Sequence, residues 1–229
     1  MKILGLIPAR KGSKGIIDKN IIDLGGLPLI EHTFKTASNI AQLHTIALST
    51  DSVAIKGIAA RYENIDIPFT RPMELCSDAA NVSDVALHAL NYYRDKGVIF
   101  THIALFQPTS PFRSEKEIVN AIECFNNSSI DSIFSVNEVI HHPSEYITIS
   151  DNGFDLVMPT PSNKEQRQSY EDVYFINGSF YMCTVNFLEV NSSFLNEKSI
   201  PIIFSKKSSF DIDDEFDLEL ARNATYKTI

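Results

Sequence analysis

Residues 3–15 of the chain read ILGLIPARKGSKG. The first five form a nearly continuous apolar run, which is typical of a short strand buried inside a sheet. Pro8, Gly12 and Gly15 punctuate the chain after this run and predict a loop. We therefore predict a buried first strand that leads directly into a functional loop.

Strands and helices alternate beyond this unit. Apolar residues at helical spacing predict helices over 28–40, 52–62, 81–93, 114–125 and 214–224. Short apolar runs predict strands over 45–48, 65–69, 102–106, 131–136 and 179–182. This alternation predicts an α/β fold with a doubly wound, mostly parallel sheet and helices on both faces.

Residues 141–174 interrupt the alternation, since they are polar, contain prolines and lack aliphatic periodicity. We interpret them as a segment inserted into a single domain that spans residues 1–229. A polar segment of this length cannot form a core by itself, so we expect it to pack on a partner subunit.

Composition excludes several classes of protein. The chain has 229 residues, 44% of them hydrophobic and 21% charged, unlike fibrous or disordered proteins. Its net charge of −9 argues against broad binding to nucleic acid or to an anionic membrane surface. Three distant cysteines without a C-x-x-C pair, and a start unlike a signal peptide, indicate a reducing, cytoplasmic compartment. No run approaches the ~20 apolar residues that span a bilayer.

The loop after the first strand has the chemistry of a phosphate site. Residues 10–20 contain four cations and two glycines in an otherwise acidic protein. Glycines let backbone amides approach anionic oxygens, and the cations offset negative charge. The loop matches neither the Walker A pattern nor G-x-G-x-x-G. The alternative is a solvated, lysine-rich turn.

Two further loops contain candidate functional residues. One follows the predicted strand 102–106, and the other precedes the last predicted helix. Residues 107–113 read QPTSPFR, a stiff loop in which Gln107 can read a base edge, while Arg113 is equally compatible with a rigid turn. Asp211 and Asp213 flank Ile212, and strand-like period two places both carboxylates on one side, which suits one hard cation such as Mg²⁺. The alternative is that such acids only favour the N-terminus of the last helix.

The inserted segment carries less specific signals. The adjacent histidines His141 and His142 lack a third ligand at metal spacing, so a zinc site is not indicated. Arg167 could bind a carboxylate through two of its guanidinium nitrogens, or simply be solvated.

Taken together, these motifs resemble those of acylneuraminate cytidylyltransferases, the CMP-sialic acid synthetases. The resemblance rests on residues 8–20, on Arg71-Pro72, on residues 107–113 and on residues 211–213, and it covers nearly the whole chain. It implies a Rossmann-like nucleotidyltransferase fold with an inserted dimerisation arm. It also implies transfer of CMP from CTP to a nine-carbon 2-keto sugar acid, with release of pyrophosphate, to make an activated sugar for surface glycans.

The resemblance also implies roles for individual residues. Arg10, Lys19 and Asp211 would be catalytic, and Asp211 and Asp213 would bind Mg²⁺. The CTP site would comprise Arg10, Gly12, Ser13, Lys14, Gly15, Lys19, Asn20, Arg71, Ser83 and Gln107. The sugar site would comprise Gln107, Arg167, Gln168, Asn177, Tyr181 and Phe194, with Leu195 as a weaker apolar candidate. The expected assembly is a homodimer without nucleic acid or membrane partners.

Three positions depart from the family pattern, and all concern the sugar. Glu145 stands where these enzymes commonly have Lys, Phe175 replaces an Arg, and a hydroxyl expected near Val82 is shifted to Ser83. Legionaminate and pseudaminate are therefore candidates beside N-acetylneuraminate, and 3-deoxy-manno-octulosonate is a further alternative. A non-catalytic nucleotide-binding protein is a remote one.

Overall fold

The structure is a computed structural model that describes residues 1–12, 15–77, 79–126, 130–158 and 171–226. The strands are β1 (Ile3–Pro8), β2 (Asp23–Leu24), β3 (Leu27–Pro28), β4 (Leu43–Ser49), β5 (Ile65–Asp66), β6 (His102–Leu105), β7 (Ser132–Glu138), β8 (Ile147–Ser150), β9 (Gly153–Leu156), β10 (Tyr174–Thr184) and β11 (Ile200–Ile203). The α-helices are α1 (Leu29–Ser38), α2 (Val53–Ala59), α3 (Val82–Asp95), α4 (Glu115–Asn126), α5 (Val185–Asn191) and α6 (Glu215–Tyr226).

Seven strands form the central sheet, in the order β11-β7-β10-β6-β1-β4-β5. The first strand lies near its middle, where β1 pairs in parallel with both β4 and β6. Among the described strands of this sheet, β10 alone runs antiparallel to its neighbours. The predicted mostly parallel sheet is therefore confirmed.

Alternating residues of the strands pack under helices on opposite faces. Ile3 and Ile7 lie in a core cluster with residues of α1, α2 and α4. Leu4 and Leu6 lie in a second cluster with residues of α3 and α5. Because successive side chains of a strand point to opposite faces, one apolar run supplies both cores. The sheet is doubly wound, as predicted.

A third, smaller apolar cluster holds the loop after β1 against residues 211–213 and α6. Ile16 from the loop after β1 packs with Ile212 and with Leu218 of α6, and all three are buried. The last helix therefore fixes both the loop after β1 and residues 211–213 at the same edge of the sheet.

Residues 141–174 contain more structure than their polarity predicts. A 3-10 turn spans Pro143–Glu145, and β8 pairs with β9 as an antiparallel hairpin. Strand β10 begins at Tyr174, well before the predicted 179–182, and its pairing with β7 is irregular between Ile176 and Tyr181. Residues 159–170 lie outside the described residues.

Candidate active site

A cavity of about 380 Å³ opens beyond the carboxyl ends of β1, β4 and β6. This is where ligands bind in open parallel sheets. Its walls are formed by Pro8, Arg10, Gly12, Gly15, Lys19, Asn20, Arg71, Leu75, Ser77, Ala80, Val82, Val85, Gln107, Pro108, Thr109 and Asp213. The fold thus brings together most of the predicted CTP residues, although Ser13 and Lys14 lie outside the described residues.

The two glycines of the basic loop are needed for different physical reasons. Gly12 has a φ of +74°, a left-handed conformation that glycine adopts without strain. A Cβ atom on Gly15 would stand 2.3 Å from Asp213 O, so only glycine lets the two backbones pass this closely. The loop is tied further by Asn20 Nδ2, which donates to Arg10 O at 3.2 Å.

Lys19 joins the basic loop to the aspartate pair. Its side chain is buried, and Nζ donates to Ile212 O at 2.7 Å and to Asp213 Oδ1 at 3.2 Å. The latter contact is an ion pair with a largely exposed carboxylate. One cation therefore reaches both the cavity and the segment that carries the carboxylates.

Arg71 supplies a second buried cation. It donates through Nε to Ser49 Oγ at 3.0 Å and through Nη2 to Ser49 O at 2.6 Å, both at the end of β4. Burial lowers the pKa of Arg71, and the neighbouring Arg10 guanidinium lowers it further. Cations of like sign held close together favour an anionic ligand between them.

The aspartates flank a buried residue, as the period-two pattern predicts. Ile212 is buried, while Asp213 is exposed and lines the cavity. Asp211 lies deeper and accepts a hydrogen bond from Ser110 Oγ at 3.0 Å. Burial raises the pKa of the Asp211 carboxyl, and the negative charge of Asp213 adds to the rise. Two close carboxylates of this kind attract a cation.

The N-terminus of α6 does not use either carboxylate. Asp214 Oδ1 accepts from Asp217 N at 2.9 Å, and Asp217 Oδ2 accepts from the backbone amides of Asp213 and Asp214. The carboxylates of Asp211 and Asp213 therefore take no part in capping α6. No group of three His, Cys, Asp or Glu suited to a metal occurs in the part of the chain described. Mg²⁺ commonly takes one or two carboxylates plus substrate phosphates, so this donor set fits the ion.

A second cavity, of about 170 Å³, adjoins the first. It is lined by Asn81, Val82, Ser83, Leu105, Gln107, Tyr181, Ser193, Phe194 and Leu195, so it shares Val82 and Gln107 with the first. Tyr181 and Phe194 come together with ring centroids 6.2 Å apart. Within the described residues, neither the Gln107 amide nor the Tyr181 hydroxyl has a hydrogen-bond partner, so both can bind a ligand.

Asn177 lies outside the lining of both cavities. Its Oδ1 accepts from Ser135 Oγ at 2.6 Å and from Ser179 N at 3.0 Å, and its Nδ2 donates to Ser209 Oγ at 2.8 Å. The buried amide therefore joins β7 and β10 to the segment that leads to the aspartates. Ser135 and Ser209 gave no signal in the sequence, because their partners are distant in the chain.

Two of the three positions that depart from the family pattern lie in or next to residues 141–174, whereas the third, at Val82 and Ser83, begins α3 and lines the cavities. Glu145 Oε2 lies 3.7 Å from His141 Nδ1, and Phe175 is exposed near the start of β10. Arg167 and Gln168 fall outside the described residues.

A family model described as Cytidylyltransferase matches residues 4–227. The chain belongs to the cytidylyltransferase family. The predicted enzyme class, a nucleotidyltransferase, and the resemblance to acylneuraminate cytidylyltransferases are confirmed. The enzyme has no described helix long and apolar enough to cross a membrane.

Relatives of the enzyme differ in the sugars that their names contain. It is 34% identical to the CMP-N,N'-diacetyllegionaminic acid synthase of Legionella pneumophila, over 96% of this chain and 94% of the relative. It is 32% identical to the N-acylneuraminate cytidylyltransferase of Streptococcus agalactiae over 95% of this chain, but it spans only 52% of that relative's length. The pseudaminic acid cytidylyltransferase of Campylobacter jejuni is 29% identical over 97% of this chain and 95% of the relative.

Solved structures confirm the fold. CMP:2-keto-3-deoxy-manno-octonic acid synthetase complexed with CTP superposes with a TM-score of 0.73 over the whole of both chains, at 15% identity. The 4-diphosphocytidyl-2C-methyl-D-erythritol synthase of Anaerococcus prevotii superposes with a TM-score of 0.65, at 17% identity over 98% of this chain and 99% of that one.

Proposed function

We propose that the enzyme transfers CMP from CTP to the anomeric hydroxyl of a nine-carbon 2-keto sugar acid and releases pyrophosphate. The observation that carries this proposal is the pair of adjoining cavities that share Gln107. The larger cavity is lined by cations and suits a triphosphate, while the smaller has apolar walls with a hydroxyl and an amide. A reaction between two substrates requires two such sites side by side.

In the proposed reaction, an oxygen–phosphorus bond forms between the sugar and the α-phosphate of CTP. The bond from the α-phosphorus to the leaving pyrophosphate oxygen breaks, and the attacking hydroxyl releases its proton to solvent. Arg10 and Lys19 offset the negative charge of the phosphates, and Asn20 holds the loop through Arg10 O. Asp211 and Asp213 would hold Mg²⁺, which when bound supplies charge neutralisation at phosphate oxygens.

We propose an acylated nonulosonate, of the legionaminate or N-acylneuraminate type, as the acceptor. Val82, Leu105, Phe194 and Leu195 give the second cavity apolar walls that suit an acyl or deoxy group. The name of the Legionella relative, a diacetyllegionaminic acid synthase, supports the same class of sugar. Pseudaminate and 3-deoxy-manno-octulosonate are the alternatives.

We propose that two copies associate through the arm at residues 141–174 and that the enzyme works in the cytoplasm, on sugars for surface glycans. Ile149 and Phe154 of the hairpin and Phe175 of β10 expose large apolar side chains. Neighbouring exposed apolar side chains of this kind favour a protein interface. The three cysteines all lie in the described part of the chain and form no disulfide there, as in a reducing compartment.

The test is pyrophosphate release with CTP and each of N-acetylneuraminate, legionaminate, pseudaminate and 3-deoxy-manno-octulosonate. We expect the highest kcat/KM with legionaminate or N-acetylneuraminate. Tyr181→Phe should raise the KM for that sugar, because it removes a hydroxyl that is free to bind it. Tyr174→Phe, on the same strand but outside both cavities, is the matched control and should not. No release with any sugar would overturn the proposal, and preference for one of the other two would establish an alternative.

A further inference from the structure

Arg113 is a buried cation that the proposed reaction does not use. It ends the loop after β6, and only 6% of its surface is exposed. Its guanidinium donates to Ser179 O at 2.5 Å, to Thr33 Oγ1 at 3.0 Å and to Gln107 O. It forms no ion pair with the residues that the structure describes. Burial lowers the pKa of Arg113 to about 9, against the long-range effect of the Asp211 carboxylate.

Stability alone does not explain this side chain. Removing a charge from water costs more than neutral hydrogen-bond acceptors return, and well-packed apolar side chains often replace buried ionic groups without loss. An arginine at this position is explained by what its three donors hold in place. A guanidinium has the fixed, forked geometry that can bind several oxygens in one plane.

The three acceptors belong to three different elements, and two of these elements, the loop after β6 and strand β10, contribute residues to the second cavity. Gln107 begins the loop after β6 and lines both cavities, while Thr33 lies in α1. Ser179 lies within the irregular part of β10, two residues before Tyr181. In the same part of β10, Gly178 has a φ of +73°, and a Cβ atom there would stand 3.4 Å from Gln107 Oε1. Arg113 therefore fixes the Gln107 backbone while β10 passes directly beside the Gln107 side chain.

We propose that Arg113 is a positioning residue for the acceptor sugar, which sets Gln107 against the Tyr181 strand at the wall between the two cavities. The inference rests on the proposed function and deepens it, since it names the group that aligns the sugar site with the nucleotide site. Arg113 contacts neither cavity, so it acts through Gln107 and Ser179. The cations Arg10, Lys19 and Arg71 lie on other loops, which Arg113 does not touch.

The experiment compares steady-state KM values for CTP and for the sugar that the wild-type enzyme uses best. We expect Arg113→Lys to raise the KM for the sugar at least tenfold, because one ammonium cannot hold three divergent oxygens. The KM for CTP should rise by a smaller factor, because Gln107 lines both cavities but Tyr181, two residues from Ser179, lines only the second. Thr33→Val is the matched control: it removes only the contact to α1, and both KM values should stay within threefold. In a Gln107→Ala background, Arg113→Lys should raise the sugar KM by a smaller factor than in the wild type, because the part of its effect that passes through the Gln107 side chain is already lost.

Four outcomes would overturn the assignment: equal rises in both KM values, an unchanged sugar KM, a sugar effect of the same size in Thr33→Val, or additive effects with Gln107→Ala. If Arg113→Lys does not fold, Arg113→Ala refolded with methylguanidinium is assayed instead. Recovery of the sugar KM supports the assignment, and recovery of the melting temperature alone contradicts it. A wild-type enzyme that turns over no sugar acid overturns the proposed function and the assignment together. Normal Arg113→Lys kinetics beside an active wild type overturn the assignment alone.

Discussion

Asparagine at position 211 or 213 should separate a metal site from a structural role. Among the described residues, the Asp213 carboxylate makes a polar contact only with Lys19, and its side chain is 78% exposed. Such pairs contribute about 1 kcal/mol or less, so Asp213→Asn should lower the melting temperature by no more than about 2–4 °C in a chain of this size.

Asp211 should behave in the opposite way, because burial raises its pKa. A carboxyl whose folded pKa is raised stabilises the fold fully below its unfolded pKa, and this contribution is lost as pH rises through the folded pKa. Once it is ionised, and without metal, the buried Asp211 carboxylate therefore opposes folding. Asp211→Asn should leave the melting temperature at pH 7 unchanged or raise it.

Turnover should respond much more strongly than stability. A metal supplies several kcal/mol of charge stabilisation, so loss of about 3 kcal/mol through one missing ligand would lower kcat/KM about 100-fold or more. The two substitutions should be non-additive because both carboxylates would serve one ion. The assays are pyrophosphate release against Mg²⁺ concentration, and thermal melting with and without Mg²⁺. Wild-type turnover and Mg²⁺ dependence, with a lower melting temperature in both variants, would refute the metal assignment.

Three further substitutions test the loop and the arm. Lys19→Ala should reduce kcat/KM for CTP about 10- to 150-fold, which corresponds to a loss of ~1.5–3 kcal/mol, whereas Lys35→Ala, at an exposed position, should not change it. Wild-type kinetics in Lys19→Ala would show that Lys19 does not bind the phosphates. Gly15→Ala should cost about 1–3 kcal/mol of stability because its Cβ would strike Asp213 O, while Gly57→Ala, which meets nothing within 4 Å, should be neutral or stabilising in melting experiments. In sedimentation, the wild type should have the mass of a dimer of two 25.7 kDa chains. Ile149→Glu should be monomeric, whereas Ile99→Glu, at an exposed position outside the arm, should stay dimeric. A monomeric wild type would contradict the role of the arm.

Local sequence patterns predicted the elements that carry strong periodicity. Strand β1, helix α3 and helix α4 all have regular apolar spacing, and their bounds agree with the structure to within a few residues. The pattern Ser-x-x-Glu at residues 114–117 predicts a capping box for α4, and its cap is present, with Glu117 N donating to Ser114 Oγ at 3.4 Å. Glu117, however, accepts from Ser205 N instead of reaching back to the cap, because a segment 88 residues away competes for it.

Elements stabilised mainly by distant neighbours were not predicted. Helix α5 has two turns, and β11 has four residues that pair with β7 at the edge of the sheet. Neither is long enough to show a period of its own. The direction of β10 could not be predicted from the sequence either, since an apolar run has the same pattern whether the neighbouring strands are parallel or antiparallel.

The sequence by itself determined the alternating α/β elements, the basic loop after the first strand and the period-two placement of Asp211 and Asp213, because each depends on residues close in the chain. Only the tertiary structure placed Asn177 inside a buried network and set Arg113 among three acceptors. It also explains why residue 15 is glycine, since a Cβ atom there would collide with Asp213 O. Such contacts join elements tens of residues apart. Their geometry is fixed by how the sheet and helices pack, and no local pattern encodes it.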